Sequence, residues 1–471
     1  MINLFEYKWN NEIPDSLMDE HFENYLDNIW KDRPKVENWY SGEIEEPETD
    51  KNKQRFIRFR VHKLSSRNYV GVIRYNDTEI NLLPKIFYKK EYDGTNGVKP
   101  TTEEIKNIYL HILYWLSYSK KIQFPQSLSD LQSIEIENFF EIFILMYATY
   151  TRDVLNRFLY QNYHEVNQNT QFIKGRLDVN GYIKNNITTG SWQRITCDYD
   201  TFDIDNRFNR IIKYVSKILL AHTNNNVSLK LLYEIVFLLD DVEDSKMAYA
   251  DCEKVQLNPF YYELNIVLDY CKLFLSNNIV YSYKEEFEVF AFLLPMEKIF
   301  EEFVVGFLSE NRQDLDIQAQ KQDRYLVEKQ DSSLFQLKPD ILIRYNSNPT
   351  NNIIVDTKYK ILNPNNDSKK GIAQSDMYQV ISYAIRYKIN NIILLYPDSI
   401  NDLENSGNLK NQKSYFASFP VKDEFCNQKK EINITVHKLP IILNHDCNDY
   451  QNLKKELDDN ILSTTKNMMQ T

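Results

Sequence analysis

Glycine is scarce in this chain, with 10 residues in 471, and no phosphate-cradling loop of the Gly-x4-Gly-Lys-Ser/Thr type is present. The nearest stretch, Gly94-Thr95-Asn96-Gly97-Val98-Lys99-Pro100, has the wrong spacing and a proline after its lysine. Nucleotide-driven motion would therefore have to come from another chain. Five cysteines, Cys197, Cys252, Cys271, Cys426 and Cys447, show no framework spacing, which excludes a disulfide scaffold and fits a reducing, cytoplasmic setting. Cys426, His437, His445 and Cys447 lack the paired spacing of a zinc site. No apolar run reaches membrane-spanning length, since even Phe139–Tyr147 is interrupted by Glu141. Met1-Ile2-Asn3-Leu4-Phe5-Glu6 is not a basic stretch leading into an apolar one, so no signal peptide is expected. A Gly-x-Ser-x-Gly elbow is also missing, and the seven histidines form no triad-like grouping.

What is present is a globular composition, 42% hydrophobic and 14% aromatic, in a chain long enough for two or three domains. The net charge of −11 argues at first against a nucleic-acid ligand. Residues 1–50, however, carry 14 acidic and 4 basic side chains, and the remaining 421 carry 53 and 52. The acidity belongs to the N-terminus, so the rest of the chain has room for a basic groove.

Arg55–His62 alternates apolar and basic residues as a half-buried strand does. Tyr69–Tyr75 and Thr78–Leu83 flank the polar pair Asn76-Asp77 and predict a hairpin. From about residue 102 the period turns helical, with further helices expected over roughly 130–160, 206–222, 228–240 and 261–276. A helix at 296–310, strands around Asp340 and Asp356, a helix at 374–388 and a strand at 391–396 then form an α/β module. These shifts predict a β-rich region over 1–101, a mainly helical, partner-binding middle over 102–284, and a catalytic domain over 285–471.

The chemistry concentrates in Lys338-Pro339-Asp340-Ile341-Leu342-Ile343 and Ile353-Ile354-Val355-Asp356-Thr357-Lys358. If these are antiparallel strands turning about residue 348, position 340 lies opposite 356, close enough for two carboxylates to share a divalent cation. Asp356 and Lys358, two apart, project from one face. A single-residue slip would destroy the arrangement. Such a cation would activate water, and the lysine would stabilise charge on phosphorus or position the attacking water. The acidic helix Met296–Val304 supplies a third carboxylate, Glu301, ahead of Glu297 and Glu302. Gln379 and Tyr383, four apart on a predicted helix, share a face. They would orient the lysine or touch the DNA backbone, or else simply decorate the helix.

Pro339-Asp340…Asp356-x-Lys358 resembles the PD-(D/E)xK nuclease core. The wider pattern is similar to the McrC-like subunits of McrBC-type modification-dependent restriction systems and the related LlaJI systems. Ile80-Asn81-Leu82-Leu83-Pro84-Lys85-Ile86, Lys174-Gly175-Arg176-Leu177-Asp178-Val179, Asp198–Lys213, Asp356–Lys360 and Asp376-x-Tyr378-Gln379-x-x-x-Tyr383 carry that likeness. The resemblance implies an α+β N-terminal part, β-rich and then mostly helical, followed by an α/β restriction-endonuclease-like domain. It implies catalytic Asp340, Asp356 and Lys358, with Glu301 in the helical acidic position. Mg²⁺ would be held by Asp340, Asp356 and Glu301, with Mn²⁺ as a substitute. The implied substrate is double-stranded DNA and the implied partner a McrB-like AAA+ GTPase hexamer. A catalytically dead adaptor that only activates the GTPase, and a stand-alone repair-type nuclease, are the competing expectations.

Overall fold

The computed structural model describes residues 2–10, 13–14, 17–18, 20–32, 53–75, 78–93, 98–119, 139–258, 260–276, 289–313, 315–328, 333–344, 352–362, 368–401, 416–422, 431–439, 453 and 455. The turns expected at 76–77 and around 348, the start of the 130–160 helix, Gly94–Gly97, Cys426, His445 and Cys447 lie outside them.

The chain opens with β1 (Ile2–Phe5) and α1 (Glu20–Asp32), followed by β2 (Ile57–Arg60), β3 (Lys63–Ser66), β4 (Tyr69–Tyr75) and β5 (Thr78–Leu83). β4 and β5 form the expected hairpin, Tyr75 opposite Thr78, and β1 joins β5 in parallel, Ile2 opposite Ile80. Phe22, Leu26, Ile29 and Trp30 of α1 share one apolar core with Leu4, Ile73, Ile80 and Leu82. α2 (Thr102–Ser117) begins at a reciprocal cap between Thr101 and Glu104, which satisfies two of the helix's orphan amides.

Residues 140–279 form a compact unit of their own. It holds α3 (Phe139–Arg157), β6 (Asn162–Thr170), β7 (Arg176–Leu177), α4 (Val179–Tyr182), β8 (Ile195–Asp203), α5 (Arg207–His222), α6 (Asn226–Leu238), α7 (Tyr249–Glu253) and α8 (Tyr262–Ser276). Its helices pack around Tyr147, whose hydroxyl lies 2.9 Å from Ser216 Oγ and whose ring meets Phe274 edge-on. The middle of the chain was expected to be mainly helical, yet β6, β8 and β7 form a three-stranded sheet. β6 reads Asn-Tyr-His-Glu-Val-Asn-Gln-Asn-Thr, so it lacks the apolar alternation by which strands are read.

The other unit joins residues 1–139 to 280–471, so the first and last parts of the chain share one body. β9 (Val289–Pro295) pairs along the whole of β4 and completes a sheet of order β1-β5-β4-β9. Gly71 permits this approach, because a Cβ there would stand 1.9 Å from the Phe292 carbonyl oxygen. α9 (Met296–Asn311) follows directly. Then come β10 (Asp316–Ala319), the hairpin β11 (Arg324–Glu328) and β12 (Ser333–Leu337), β13 (Ile341–Arg344), β14 (Ile353–Thr357), α10 (Gln374–Tyr387), β15 (Asn391–Pro397), β16 (Ala417–Lys422) and β17 (Glu431–Leu439). Six of these strands form a mixed sheet ordered β10-β13-β14-β15-β17-β16. β13 and β14 are antiparallel, while β14, β15 and β17 run parallel. Val380, Tyr383 and Ala384 of α10 pack on Leu342, Ile354, Ile392 and Leu394. The whole is a mixed α/β protein, and among its described residues no helix is long and apolar enough to cross a membrane.

Candidate active site

The centre of the six-stranded sheet is built from β-branched and leucine side chains. Ile341, Leu342, Ile343, Ile353, Ile354 and Val355 are all essentially inaccessible, as expected for central strands covered on both faces. Their pairing is Ile341 with Val355, Leu342 with Ile354 and Ile343 with Ile353. One step further along this register Asp340 faces Asp356, as the symmetry about residue 348 predicted. β14 continues against β15, Asp356 beside Leu394 and Thr357 beside Leu395. The Lys358 amide donates to the Leu395 carbonyl at 2.8 Å, which keeps Lys358 extended and on the Asp356 face. Its Nζ lies 2.6 Å from Asp356 Oδ2.

Asp356 is fully buried, and its Oδ1 has no hydrogen-bond partner. Asp340 Oδ2 accepts from the Thr357 amide at 2.7 Å and from Thr357 Oγ1 at 2.8 Å. Thr357 therefore ties the two acidic positions together. Sequence reasoning passed over it, and the only signal for it is its place between Asp356 and Lys358.

Glu301 is 7% exposed on α9; Lys298 Nζ contacts its Oε2 at 2.8 Å and Gln320 Nε2 donates to its Oε1. The alternatives turn elsewhere: Glu297 accepts from Asn68 Nδ2 at 3.2 Å and Glu302 from Ser119 Oγ at 2.5 Å. Gly306 lets α9 lie close to the end of α2, since a Cβ there would be 1.9 Å from the Tyr118 carbonyl oxygen.

Burial raises the Asp340 carboxyl well above the usual carboxylate range, and the neighbouring charges of Asp356 and Glu301 push it the same way. Burial also raises Asp356; Lys358 opposes the rise, while Asp376 and Glu301 add to it. For Lys358, burial pulls the pKa down, but Asp356 and Asp340 outweigh it and hold the ammonium protonated. Three carboxylates set against two lysines, Lys358 and Lys298, keep an excess of negative charge, a condition a divalent cation relieves.

The donor set fits such an ion. Asp356 and Asp340 are hard oxygen donors, and Asp356 Oδ1 is a buried acceptor with nothing to accept from. Among the described residues no three His, Cys, Asp or Glu side chains are gathered closely enough to cage a metal. Glu301 would have to leave Lys298 to become a third ligand.

Gln379 and Tyr383 do share a face, and Gln379 Nε2 donates to the Tyr383 hydroxyl at 2.7 Å. That hydroxyl donates to the Lys338 carbonyl at 3.1 Å. The pair thus anchors the approach to β13, and neither residue contacts Lys358. Burial, with the Asp356 charge behind it, raises the Tyr383 hydroxyl pKa and keeps it a donor.

Two further clusters hold the strand beyond Lys358. Lys85 Nζ donates to the Tyr359 carbonyl at 2.8 Å, and the Tyr359 hydroxyl donates to Glu6 Oε2 at 2.8 Å. Glu6 is fully buried, and burial pushes it up to about 7 against the pull of Lys85. Lys360 Nζ grips both oxygens of Asp376 at 2.8 and 2.9 Å, and Tyr396 donates to the same carboxylate at 3.2 Å. Lys85 stands in the Pro-Lys-Ile segment, but nothing in the sequence marks Glu6.

The other quoted motifs are structural within residues 140–279. Gly175 adopts φ +71°, and a Cβ there would be 2.4 Å from the Asp198 carbonyl oxygen. Arg176 pairs with Asp198 at 3.1 Å, and Asp178 caps α4 through the Gly181 amide at 3.0 Å. Asn206 caps α5, Arg210 makes a two-pronged pair with Asp205 at 2.7 Å, and Lys213 donates to the Val242 carbonyl at 2.5 Å.

The family model described as McrBC 5-methylcytosine restriction system component matches residues 64–397. The chain belongs to this family. A refined half-complex from a tetradecameric assembly of Thermococcus gammatolerans McrB AAA+ hexamers with bound McrC contains a similar chain, at TM-score 0.67 and 18% identity. That match covers 97% of this chain and 99% of the other, and it shows a shared fold. A cryo-EM structure of the Thermococcus gammatolerans McrBC complex matches at TM-score 0.49 and 19% identity, over 66% of this chain and 87% of that one. No curated protein matches the chain.

Proposed function

We propose that this McrBC-family chain is the DNA-cutting subunit of its restriction system, a PD-(D/E)xK endonuclease dependent on Mg²⁺. The observation that carries the reading is the opposed pair Asp340 and Asp356 with Lys358 Nζ 2.6 Å from Asp356. Asp340 and Asp356 would hold the cation, with Glu301 as a third carboxylate. When bound, the ion lowers the pKa of a coordinated water and neutralises charge on the phosphate. Thr357 fixes the Asp340 carboxylate, and Lys358, kept protonated, sets positive charge where the phosphorus centre gains negative charge. Lys85 and Asp376 keep the Tyr359–Lys360 strand end, and with it Lys358, from moving.

The partner in this proposal is a McrB-like AAA+ GTPase hexamer. Support comes from the McrB hexamers named with McrC in the similar assembly and from residues 140–279. There Tyr163, Phe172, Ile173, Trp192 and Phe202 are all more than half exposed, an apolar display that a monomer rarely leaves uncovered. Buried, free Cys197, Cys252 and Cys271 fit a reducing cytoplasm.

The adaptor reading draws on the closed Lys358–Asp356 pair and on Glu301's engagement with Lys298. Reconstituted complex separates the two. Wild type cleaves DNA in Mg²⁺ and not in EDTA, and Asp356→Ala abolishes cleavage while GTPase stimulation persists. Wild type that stimulates the GTPase and never cuts would establish the adaptor, and cutting without any GTPase would establish a stand-alone nuclease.

A further inference from the structure

We propose that the β2–β3 hairpin and Arg67 form a phosphate-binding track that holds the DNA backbone beside the Asp340–Asp356–Lys358 centre; this rests on the nuclease reading above.

In a chain of net charge −11, residues 53–75 contain seven Lys or Arg and no Asp or Glu. The hairpin sorts these charges by face. Arg60 pairs with Lys63 and Arg58 with Ser65, and the Arg67 amide extends the ladder to the Phe56 carbonyl at 2.9 Å. Residues 58, 60 and 63 therefore project to one side, while Ile57, Phe59 and Leu64 turn to the core, and Arg67 follows at the end of the ladder, close enough to feel the Arg58 charge. Among the described residues Arg58, Arg60, Lys63 and Arg67 make no ion pair with a carboxylate. Arg67 Nε is buried without an acceptor. An unpaired buried guanidinium nitrogen is costly in the free protein and is what an anion would satisfy. Burial, and then repulsion from Arg58 and Arg55, lowers the Arg67 pKa, a strain an incoming phosphate would relieve.

This face is tied to both elements that carry the catalytic groups. The Tyr7 ring, in a left-handed backbone conformation at φ +61°, lies under Arg58 at 5.3 Å and Lys85 at 5.0 Å. The Tyr7 hydroxyl bonds to Asn68, and Asn68 bonds to Glu297, one helical turn before Glu301. The Asn68 carbonyl accepts from the first amide of α9 at 3.0 Å. On the other side Lys85 holds the carbonyl of Tyr359, the residue after Lys358. Tyr7, at 40% exposure, adds a flat ring beside Arg58. Forked guanidinium groups with no carboxylate of their own suit phosphate oxygens taken two at a time.

The test measures binding apart from cutting. Full-length chain is titrated onto a fluorescent duplex in EDTA at several salt concentrations, with thermal melting as the folding control. Arg58→Ala and Arg67→Ala each reduce the magnitude of the slope of log affinity against log salt by about 1, and they weaken binding alike on unrelated sequences. Lys replacements retain more affinity than Ala. The track is overturned if the folded double variant keeps wild-type affinity and slope, if wild type does not bind duplex, or if the double variant loses only GTPase stimulation, which would make this face a docking site for protein. Cleavage is scored separately in Mg²⁺. A protein that binds through Arg58 and Arg67 and never cuts leaves the track and removes the nuclease, and the reverse outcome does the opposite.

Discussion

Charged residues from the family's motifs occupy two regions under opposite conditions. Around β13 and β14, Asp340, Asp356 and Glu301 are drawn out of water with Lys358, so burial and mutual repulsion raise the aspartates and one carboxylate oxygen has no donor. Around β8 and α5, Asp178, Asp198 and Asp205 lie near the surface and are each answered by a backbone amide, an arginine or both. Asp178 is accordingly held below the usual carboxylate range by the Gly181 amide and Asn167. The apolar residues are reversed as well, enclosed at the first region and displayed at the second. On the proposed reading, unbalanced buried charge marks the place for chemistry, and balanced exposed charge marks structure under a contact surface.

The comparison breaks first at Lys358. Lys358→Ala is expected to lower cleavage by about 10²-fold or more, with GTPase stimulation intact, when initial rates are compared in the reconstituted complex. A second test concerns stored strain. Asp340 has a folded-state pKa above its unfolded value, so its contribution to stability is fully present below the ordinary carboxylate range and is lost as pH rises through the raised value. In EDTA, Asp340→Asn therefore melts above wild type at alkaline pH, by about 2 °C per kcal/mol relieved, and the gap closes in acid. Glu6, pushed up to about 7, gives both proteins the same background slope, so differential scanning fluorimetry isolates Asp340. Mg²⁺ should stabilise wild type more than the variant.

The surface region has its own tests. Phe172→Ser with Trp192→Ser should reduce GTPase stimulation at least roughly tenfold, as loss of aromatic anchors does, and leave duplex binding and melting unchanged. The smallest effect is expected at Asn206, which caps α5 through the Asn209 amide. Asn206→Ala costs about 1 kcal/mol, read by urea unfolding, and has no effect on cleavage by folded complex.

Much of the candidate site was legible because it obeys local rules. Ile353–Val355 is a run that only a buried strand explains, and positions 340 and 356 are equidistant from a polar stretch, which fixed the register. Helices at 296–311 and 374–387 carry the period that announced them. What could not be read depends on contacts distant in sequence. Glu6 meets Tyr359, Asn68 meets Glu297 and β9 closes on β4, so the first and last parts of the chain share one unit. β6 and β8 were missed for another reason. Their outward Tyr163 and Phe202 and mostly polar neighbours leave only the adjacent Thr196 and Cys197 of β8 buried, and without an alternating buried face the period of two does not show.

The most direct measurement is Mg²⁺-dependent cleavage of duplex DNA by the full chain with its GTPase partner, comparing wild type with Asp356→Ala. The account predicts cutting by wild type that EDTA stops and that falls by about 10³-fold or more in the variant, with GTP hydrolysis unaffected. Equal cutting by the two proteins would contradict it.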